Sequence, residues 1–273
     1  MSDWKSAEPP SVRITPAGWL RAAWRGGVLS LVVYGCLLLL LLLRLVERPL
    51  FGQARPWTPH ITQFVCRVAL RVLGLDCTVR GQPMRQRGAM VANHSSWLDI
   101  FVLNAVARIY FVAKSEVEGW AGIGRLARAT GTVFIARKGV EAKRQQEMFE
   151  VRLAAGHPLL FFPEGTSTDS LRVLPFKSTL FAAFFSARVA EPLHIQPVTV
   201  IYHAPEGADA RHYGWWGEMD FAPHFLQLLA DGRRGRVEVI LHAPVPVHAF
   251  EDRKSLSAYC ERVIRASHGS AVG

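Results

Sequence analysis

Residues 89–100, AMVANHSSWLDI, join three kinds of sequence: a short apolar run, a polar loop and the start of a second apolar stretch. Residues 89–92 have the length and composition of a buried β-strand, and residues 97–107 are long enough for an α-helix. This alternation recurs from residue 76 onward. Apolar strands separated by helices are typical of a parallel sheet covered on both faces. The sequence therefore predicts an α/β fold, with a mostly parallel sheet flanked by helices.

The other elements follow from the same patterns. Short apolar runs rich in β-branched and aromatic residues predict strands over 77–80, 89–92, 110–113, 132–135, 159–162, 194–202 and 237–241. Longer stretches between them predict helices over 97–107, 120–129, 140–155, 178–188 and 254–267. No internal repeat or low-complexity linker interrupts this region. We therefore predict one α/β domain over 76–273, preceded by a membrane-anchoring segment over 1–75.

The N-terminal segment contains an uncharged run of 18 residues, 26–43, which ends in seven leucines. As a helix it is roughly 27 Å long, about the thickness of the hydrocarbon core of a bilayer. A cleaved signal peptide is disfavoured by the long leader before the run and by the charges that follow it at once. The run therefore predicts a helix inserted in a membrane, either spanning it or dipping into one leaflet. Because arginines flank both ends, the orientation stays open.

Residues 60–73 form a second candidate helix, in which His60, Gln63, Arg67 and Arg71 share one stripe and apolar residues cover the rest. Such an amphipathic helix suits the headgroup layer, with its arginines toward lipid phosphates. It suits equally an ordinary helix packed on the domain.

Composition limits the classes of function. The 273 residues carry a net charge of +10, which favours a polyanionic partner, either nucleic acid or an anionic membrane surface. No helix-turn-helix, zinc-finger or RNA-recognition signature is present, so we expect no nucleic acid partner. The four cysteines are scattered and form no C-x-x-C pair, which argues against a disulfide scaffold or a metal cluster. We expect a reducing compartment and no required metal or cofactor.

The loop after residues 89–92 places His94 and Asp99 five positions apart. A neutral imidazole with a carboxylate on its far nitrogen can take a proton from a hydroxyl at neutral pH. A structural explanation also exists, because Ser96 and Asp99 have the spacing of a capping box at a helix start. The two interpretations agree if the helix start presents Asp99 to His94. The loop is thus a candidate catalytic site.

A second loop, residues 162–169, reads FPEGTSTD and follows a predicted strand. Pro163 ends that strand, and Gly165 permits a tight turn in which backbone amides approach a ligand. Glu164 suits polar groups of a substrate, and Thr166 and Ser167 add hydroxyls. Neither a G-x-S-x-G elbow nor a P-loop occurs in the chain, so serine hydrolases and P-loop enzymes lose their main support.

NHSSWLD, followed 70 residues later by FPEGTST, resembles the bacterial glycerolipid acyltransferases, the superfamily of the 1-acylglycerol-3-phosphate acyltransferases. The family's second motif resembles GTVFIAR, residues 131–137, and its fourth resembles HIQPVTV, residues 194–200. The motifs occur in the family's order, over about residues 76–205. The apolar N-terminal run is similar to the membrane anchor of the bacterial members. Long motifs in a fixed order are far more specific than any one alone.

The resemblance implies an O-acyl transfer without a covalent enzyme intermediate. His94, held by Asp99, would deprotonate a lysolipid hydroxyl, which attacks the thioester of acyl-carrier protein or acyl-CoA. His94 would then protonate the leaving thiolate. Amides near Gly165 would stabilise the oxyanion. The lipid bilayer holds the acceptor, so the resemblance places the protein in the bacterial inner membrane with its catalytic domain on the cytoplasmic side.

The resemblance also implies an acceptor site formed by Arg137, Glu164, Thr166, Ser167 and Lys177. In lysophosphatidate enzymes an Arg that grips the phosphate stands where this chain has Ser167. This variant is similar to the lyso-ornithine lipid acyltransferases, whose acceptor carries an amino acid.

We therefore expect lyso-ornithine lipid as the acceptor and keep 1-acylglycerol-3-phosphate as the alternative. Arg137 would pair with the carboxylate of the ornithine head group, and Glu164 or Asp169 with its amine. Arg137 or Lys177 would compensate for the missing arginine. A non-catalytic basic protein that binds membranes or nucleic acid is a remote alternative.

Overall fold

The computed structural model describes residues 4–9, 13–120, 122–135, 142–186 and 192–272. Its α-helices are α1 (Pro16–Phe51), α2 (Thr58–Leu73), α3 (Asp99–Val106), α4 (Ile123–Thr130), α5 (Ala142–Ala154), α6 (Ala182–Ser186), α7 (Phe221–Ala230) and α8 (Arg253–Val272). Its strands are β1 (Leu75–Arg80), β2 (Gly88–Ala92), β3 (Tyr110–Lys114), β4 (Val133–Ile135), β5 (Leu159–Phe161), β6 (His194–His203), β7 (Gly235–Leu241) and β8 (Val245–Pro246).

The strands form one sheet in the order β1-β7-β6-β2-β5-β3-β4, with β8 paired to β6. Neighbouring strands are parallel except at two places, where β7 and β8 each run antiparallel to β6. The prediction of a mostly parallel sheet is confirmed. Strand β2 lies between β5 and β6 and is buried along its whole length. Because these three strands are parallel, the loops that follow β2 and β5 lie at one edge, beside the carboxyl end of β6.

Alternate residues of β2 belong to two different apolar clusters, one on each face of the sheet. Met90 and Ala92 pack in a cluster that also contains residues of α1, α2, α3 and α7. Ala89 and Val91 pack with residues of α5, α6 and α8. Since successive side chains of a strand point to opposite faces, helices cover both faces of the sheet. This arrangement explains the near-continuous apolar strands that the sequence shows.

Every predicted strand overlaps an observed one, but one helix was missed. The sequence patterns predict no helix where α7 lies, and Pro223 lies inside this helix. Pro223 occupies the first turn, where a missing N–H costs nothing. Of the helix predicted over 178–188, the structure describes α6 at Ala182–Ser186, and residues 187–191 lie outside the described ranges.

The predicted apolar helix is part of α1, which has 36 residues. It is the one described helix long and apolar enough to cross a membrane, with a mean hydropathy of 2.6 over its best window and 11% of that window buried. Thr15 caps it by accepting a hydrogen bond from the Gly18 N–H at 3.1 Å, and Pro16 occupies the first turn. Large apolar side chains such as Trp24, Leu31 and Leu38 are exposed on it. Exposed side chains of this kind suit contact with lipid.

Helices α1 and α2 also pack on the α/β domain. Ala22 and Leu29 of α1 belong to the same apolar cluster as the sheet residues. Arg21 and Arg25 donate hydrogen bonds of 2.6 Å to the carbonyls of Ala230 and Asp231, at the C-terminal end of α7. Cations at this end of a helix stabilise its unpaired carbonyls. The boundary predicted between residues 75 and 76 stays a prediction, since both helices share a core with the sheet.

Helix α2 is amphipathic, but its polar stripe does not simply face outward. Gln63 Nε2 and Arg67 Nε both donate to the carbonyl of Ala105, at the end of α3, at 3.3 and 3.0 Å. Cys66 and Leu70 are buried against the same cluster as α3. The structure thus favours the packed helix over a helix whose arginines all reach toward lipid phosphates, because Arg67 binds a backbone carbonyl.

Candidate active site

The loops after β2 and β5 are joined at one edge of the sheet by hydrogen bonds that two backbone N–H groups donate. The N–H of His94 donates to Glu164 Oε1 at 2.7 Å, and the N–H of Thr168 donates to the His94 carbonyl at 3.0 Å. The motifs that lie 70 residues apart in sequence therefore form one site. The parallel pairing of β2 with β5 brings them together, as the register of Val91 with Phe161 shows.

His94 and Asp99 form a hydrogen-bonded pair. Nδ1 of His94 lies 2.8 Å from Oδ2 of Asp99, which is fully buried in the first turn of α3. The same oxygen accepts the N–H groups of Ser95 at 2.8 Å and Ser96 at 3.1 Å. Asp99 thus holds the helix start and the imidazole with one carboxylate. Only the carboxylate half of the capping box forms, since Ser96 Oγ is buried with no hydrogen bond to the described residues.

The imidazole of His94 is held on one side and open on another. Its ring stacks on Phe162, with 4.0 Å between ring centroids and 13° between planes, and its side chain is 20% exposed. Because Nδ1 is engaged by Asp99, Nε2 is the nitrogen left to accept a proton. Nothing among the described residues hydrogen-bonds to Nε2. This geometry fits a general base that waits for a substrate hydroxyl.

Tyr202 is a site residue that the sequence did not reveal. Its hydroxyl donates to Asp99 Oδ1 at 2.7 Å, and Tyr202 is the last residue but one of the buried strand β6. The signal available in the sequence is only its position near the carboxyl end of a strand. The sequence does not reveal the order of the strands that places β6 beside β2, so this contact could not be predicted.

Glu164 is buried and both of its oxygens accept backbone N–H groups. Oε1 binds the His94 amide, and Oε2 binds the Leu174 amide at 2.6 Å. Burial raises the pKa of Glu164 to about 8, with the nearby Asp99 charge adding to it, while the two amides act in the opposite direction. These contacts make Glu164 a link between His94 and the chain after the motif. Its predicted contact with the acceptor stays a prediction.

Gly165 lies beneath the side chain of Lys177. Its φ is +75°, in the left-handed region that favours glycine, and a Cβ there would lie 2.9 Å from Lys177 Nζ. Lys177 is exposed, and it forms no ion pair with the described part of the chain. Thr166 is exposed beside it, whereas Ser167 is buried. Lys177 thus places an ammonium against Gly165 of the second motif.

Two further expectations concern charged residues. Arg137, predicted to position the acceptor, lies outside the described residues. Asp169, expected as one partner for an acceptor amine, is buried and bound by Arg172, with Nη2 to Oδ2 at 2.9 Å and Nε to Oδ1 at 3.0 Å. The structure contradicts that expectation for Asp169, because its carboxylate already has a guanidinium partner.

A third loop, which contains Trp215, is hydrogen-bonded to the first two. The N–H of Trp215 donates to both the Ser95 carbonyl at 3.0 Å and the Thr168 carbonyl at 3.1 Å. Its neighbours Tyr213 and Trp216 are buried. Sequence reasoning gave this bridging role to no residue. Within the described ranges, no group of three or more His, Cys, Asp or Glu side chains could hold a metal ion.

Comparison with known proteins identifies the family of the chain. Residues 76–201 match the acyltransferase family model. The chain is 55% identical to a lyso-ornithine lipid O-acyltransferase from Rhodobacter capsulatus, with 97% of each chain covered. It is 37% identical to a lyso-ornithine lipid O-acyltransferase from Brucella abortus, over 79% of this chain and 84% of that protein.

A solved structure has the same fold. The crystal structure of the 1-acyl-sn-glycerophosphate (LPA) acyltransferase PlsC from Thermotoga maritima superposes with a TM-score of 0.65, over 93% of this chain and 95% of that one. Its sequence is 21% identical, so this likeness concerns the fold alone. With the His94–Asp99 pair at the edge of that fold, and with full-length relatives far above chance identity, the chain belongs to the acyltransferase family and is an acyltransferase.

Proposed function

We propose that this enzyme transfers a fatty acyl group to the free hydroxyl of lyso-ornithine lipid. The observation that carries the proposal is the 55% identity, over 97% of both chains, to a protein of that activity. The site supports it independently, since Ser167 stands where a phosphate-gripping arginine is expected. A bidentate arginine suits a phosphate far better than a neutral hydroxyl does.

The proposed reaction uses His94 as the general base. Nε2 takes the proton of the acceptor hydroxyl as its oxygen attacks the thioester carbonyl. The tetrahedral intermediate collapses, the carbon–sulfur bond breaks, and the imidazolium returns the proton to the leaving thiolate. Asp99, 2.8 Å from Nδ1, stabilises the imidazolium in between. No covalent bond to the enzyme forms. His94 takes up one proton and gives it back, so it ends the reaction in its starting state.

The loop after β5 supplies the proposed contacts to the acceptor. The Lys177 ammonium, which lies over Gly165, would pair with the carboxylate of the ornithine head group. The backbone turn at Gly165, with the hydroxyls of Thr166 and Ser167, would face the reacting carbonyl and the head group. Arg137 and Glu164 are proposed to complete this acceptor site.

The donor and the location of the enzyme are proposed with it. The donor is a thioester, of acyl-carrier protein or of coenzyme A, and the acceptor is held in the lipid bilayer. We place the enzyme at the bacterial inner membrane with its catalytic domain on the cytoplasmic side. The exposed apolar surface of α1 supports the proposed location at a membrane. The four cysteines form no disulfide, which fits a reducing compartment; they are Cys36, Cys66, Cys77 and Cys260.

The test is a comparison of acceptors. Purified full-length enzyme with acyl-carrier-protein thioester is expected to use lyso-ornithine lipid with a kcat/KM at least about tenfold above that for 1-acylglycerol-3-phosphate. The same comparison with acyl-CoA would identify the donor. A tenfold preference for 1-acylglycerol-3-phosphate would contradict the proposed acceptor and leave the acyl transfer intact.

Ser167→Arg makes the test specific to the loop. The added guanidinium should bind phosphate and lower the preference for lyso-ornithine lipid by roughly 10- to 100-fold. Thr179→Arg is the matched control, because it adds the same charge at an exposed position of the same connection, at a residue with no proposed role. Equal effects of the two variants would show that charge alone, and not position 167, selects the acceptor.

A further inference from the structure

The two oxygens of Asp99 receive different partners. Oδ2 accepts the His94 imidazole and two backbone amides, of Ser95 and Ser96. Oδ1 accepts the hydroxyl of Tyr202 at 2.7 Å, and this is its one hydrogen bond within the described residues. Both side chains are buried. Without the Tyr202 hydroxyl, one oxygen of a fully buried carboxylate would have no donor.

We propose that Tyr202 is a positioning residue for acyl transfer, which holds Asp99 in place and sets how strongly Asp99 stabilises protonated His94. The proposal rests on the proposed function, in which His94 acts as the base. Tyr202 does not touch the substrate in this scheme. It acts through Asp99. Its strand, β6, carries the motif around Pro197, and Tyr202 lies just beyond the end of that motif.

The physical argument concerns charge on the carboxylate. A hydrogen bond from a phenol draws electron density toward Oδ1, so Oδ2 attracts the imidazolium less. Removing that donor concentrates the negative charge facing Nδ1 and favours the protonated ring. A protonated His94 cannot accept the substrate proton. The hydroxyl of Tyr202 therefore keeps the base in its active form at lower pH, and it also fixes the rotation of the carboxylate.

Burial raises the pKa values of the other titratable groups that face Tyr202 and Asp99, so these groups do not change charge in the acidic pH range. Burial, with the Asp99 charge beside it, raises the pKa of Tyr202 well above its usual value, so its hydroxyl remains a donor. Burial raises the pKa of Cys77 to about 11 and that of Tyr213 to about 12, so both face Tyr202 in neutral form. Glu164, which faces Asp99 from the loop after β5, has a pKa of about 8. The effect of Tyr202 is therefore measured below that pH.

The experiment is the pH profile of kcat/KM for Tyr202→Phe, measured with the purified full chain, acyl thioester and lyso-ornithine lipid. The acidic limb is expected to move up by about 0.5–1 pH unit, and the plateau to fall by about 3- to 30-fold. Tyr213→Phe is the matched control. Its ring lies 5.6 Å from that of Tyr202, yet its hydroxyl makes no hydrogen bond to Asp99, so its limb should stay in place.

A second variant separates this role from packing. Site-specific 3-fluorotyrosine at position 202 keeps the ring and makes the hydroxyl a stronger donor, so the limb should move to lower pH. Limbs that coincide for the wild type, Tyr202→Phe and the fluorinated enzyme would overturn the role of Tyr202. Failure of the wild type to acylate lyso-ornithine lipid would instead overturn the proposed function.

Discussion

At the scale of single residues, Asp99 shows why catalytic and structural explanations of one motif need not compete. Its carboxylate accepts two amides at the start of α3 and the imidazole of His94 with the same oxygen. The start of α3 therefore fixes the position of the Asp99 carboxylate relative to the His94 imidazole. Moving Asp99 by one turn would lose both functions together.

Replacing His94 tests the base directly. His94→Ala is expected to lower kcat by roughly 10²–10⁴-fold, because general-base catalysis contributes that much. The fold should survive, since the Asp99 contact is the one hydrogen bond that the His94 side chain makes to the described residues. Acyl transfer is measured together with the circular dichroism of the variant.

The control for this variant is His203→Ala, a histidine at the end of β6 on the same edge of the sheet. It has no proposed role, and its substitution should leave kcat within about twofold of wild type. A folded His94→Ala enzyme with full activity would rule out the mechanism.

What the sequence could predict of the site follows from distance along the chain. His94 and Asp99 are five residues apart, so one loop and one helix start suffice to pair them. Tyr202 is 103 residues from Asp99, and Trp215 reaches Ser95 and Thr168 from a third loop. Their contacts depend on the order of strands in the sheet, which hydrophobic periodicity does not encode.

At the scale of elements, Glu47 joins α1 to α2. Its Oε1 accepts the N–H groups of Trp57 at 2.7 Å and Thr58 at 3.1 Å, and its Oε2 accepts the Thr58 hydroxyl at 2.8 Å and Arg44 at 2.9 Å. The carboxylate is fully buried. A side chain of one helix thus caps the next. In the sequence Glu47 was only one of the charges flanking the apolar run.

Glu47→Ala is expected to lower the free energy of unfolding by about 2–4 kcal/mol, because it leaves two amides, the buried Thr58 hydroxyl and the half-buried Arg44 without this acceptor. The thermal midpoint in detergent measures the loss. Proteolysis of the connection around residues 52–57 should rise with it, since the cap fixes that turn. Glu206→Ala, which removes an exposed carboxylate, is the control and should change neither quantity. Equal thermal midpoints of Glu47→Ala and Glu206→Ala would show that the cap contributes nothing to the stability of the fold.

The elements themselves were largely predictable, since each short apolar run became a strand. The exceptions have physical causes. Helix α3 begins at Asp99 and not at Trp97, because the first residues after the loop form tighter turns, with Asp99 N–H donating to the Ser96 carbonyl. The polar stripe of α2 was ambiguous because arginines suit a headgroup and a helix C-terminus equally well, and here Arg67 binds the end of α3.

At the scale of the whole molecule, α1 packs on the described part of the domain through one face. Its buried positions Ala22, Leu29, Leu40 and Glu47 recur at intervals of two or three helical turns, which keeps them on one side. Arg21 and Arg25 tie the same side to the end of α7. The remaining faces are apolar and exposed. The helix is therefore attached to the domain that carries the His94 site and keeps an apolar surface exposed.

Membrane attachment through this exposed apolar surface is the last prediction. The protein should remain in the membrane pellet through high-salt and carbonate washes, because both weaken ionic contacts and leave apolar burial unaffected. Leu31→Arg combined with Leu38→Arg, two exposed positions of α1, should release it, since each arginine costs about 2.5–3.5 kcal/mol in the hydrocarbon. Val79→Arg adds a charge at an exposed apolar position of β1, away from α1, and should stay in the pellet. Release of the wild type by salt alone would show that the net charge of +10, and not α1, holds the enzyme at the membrane.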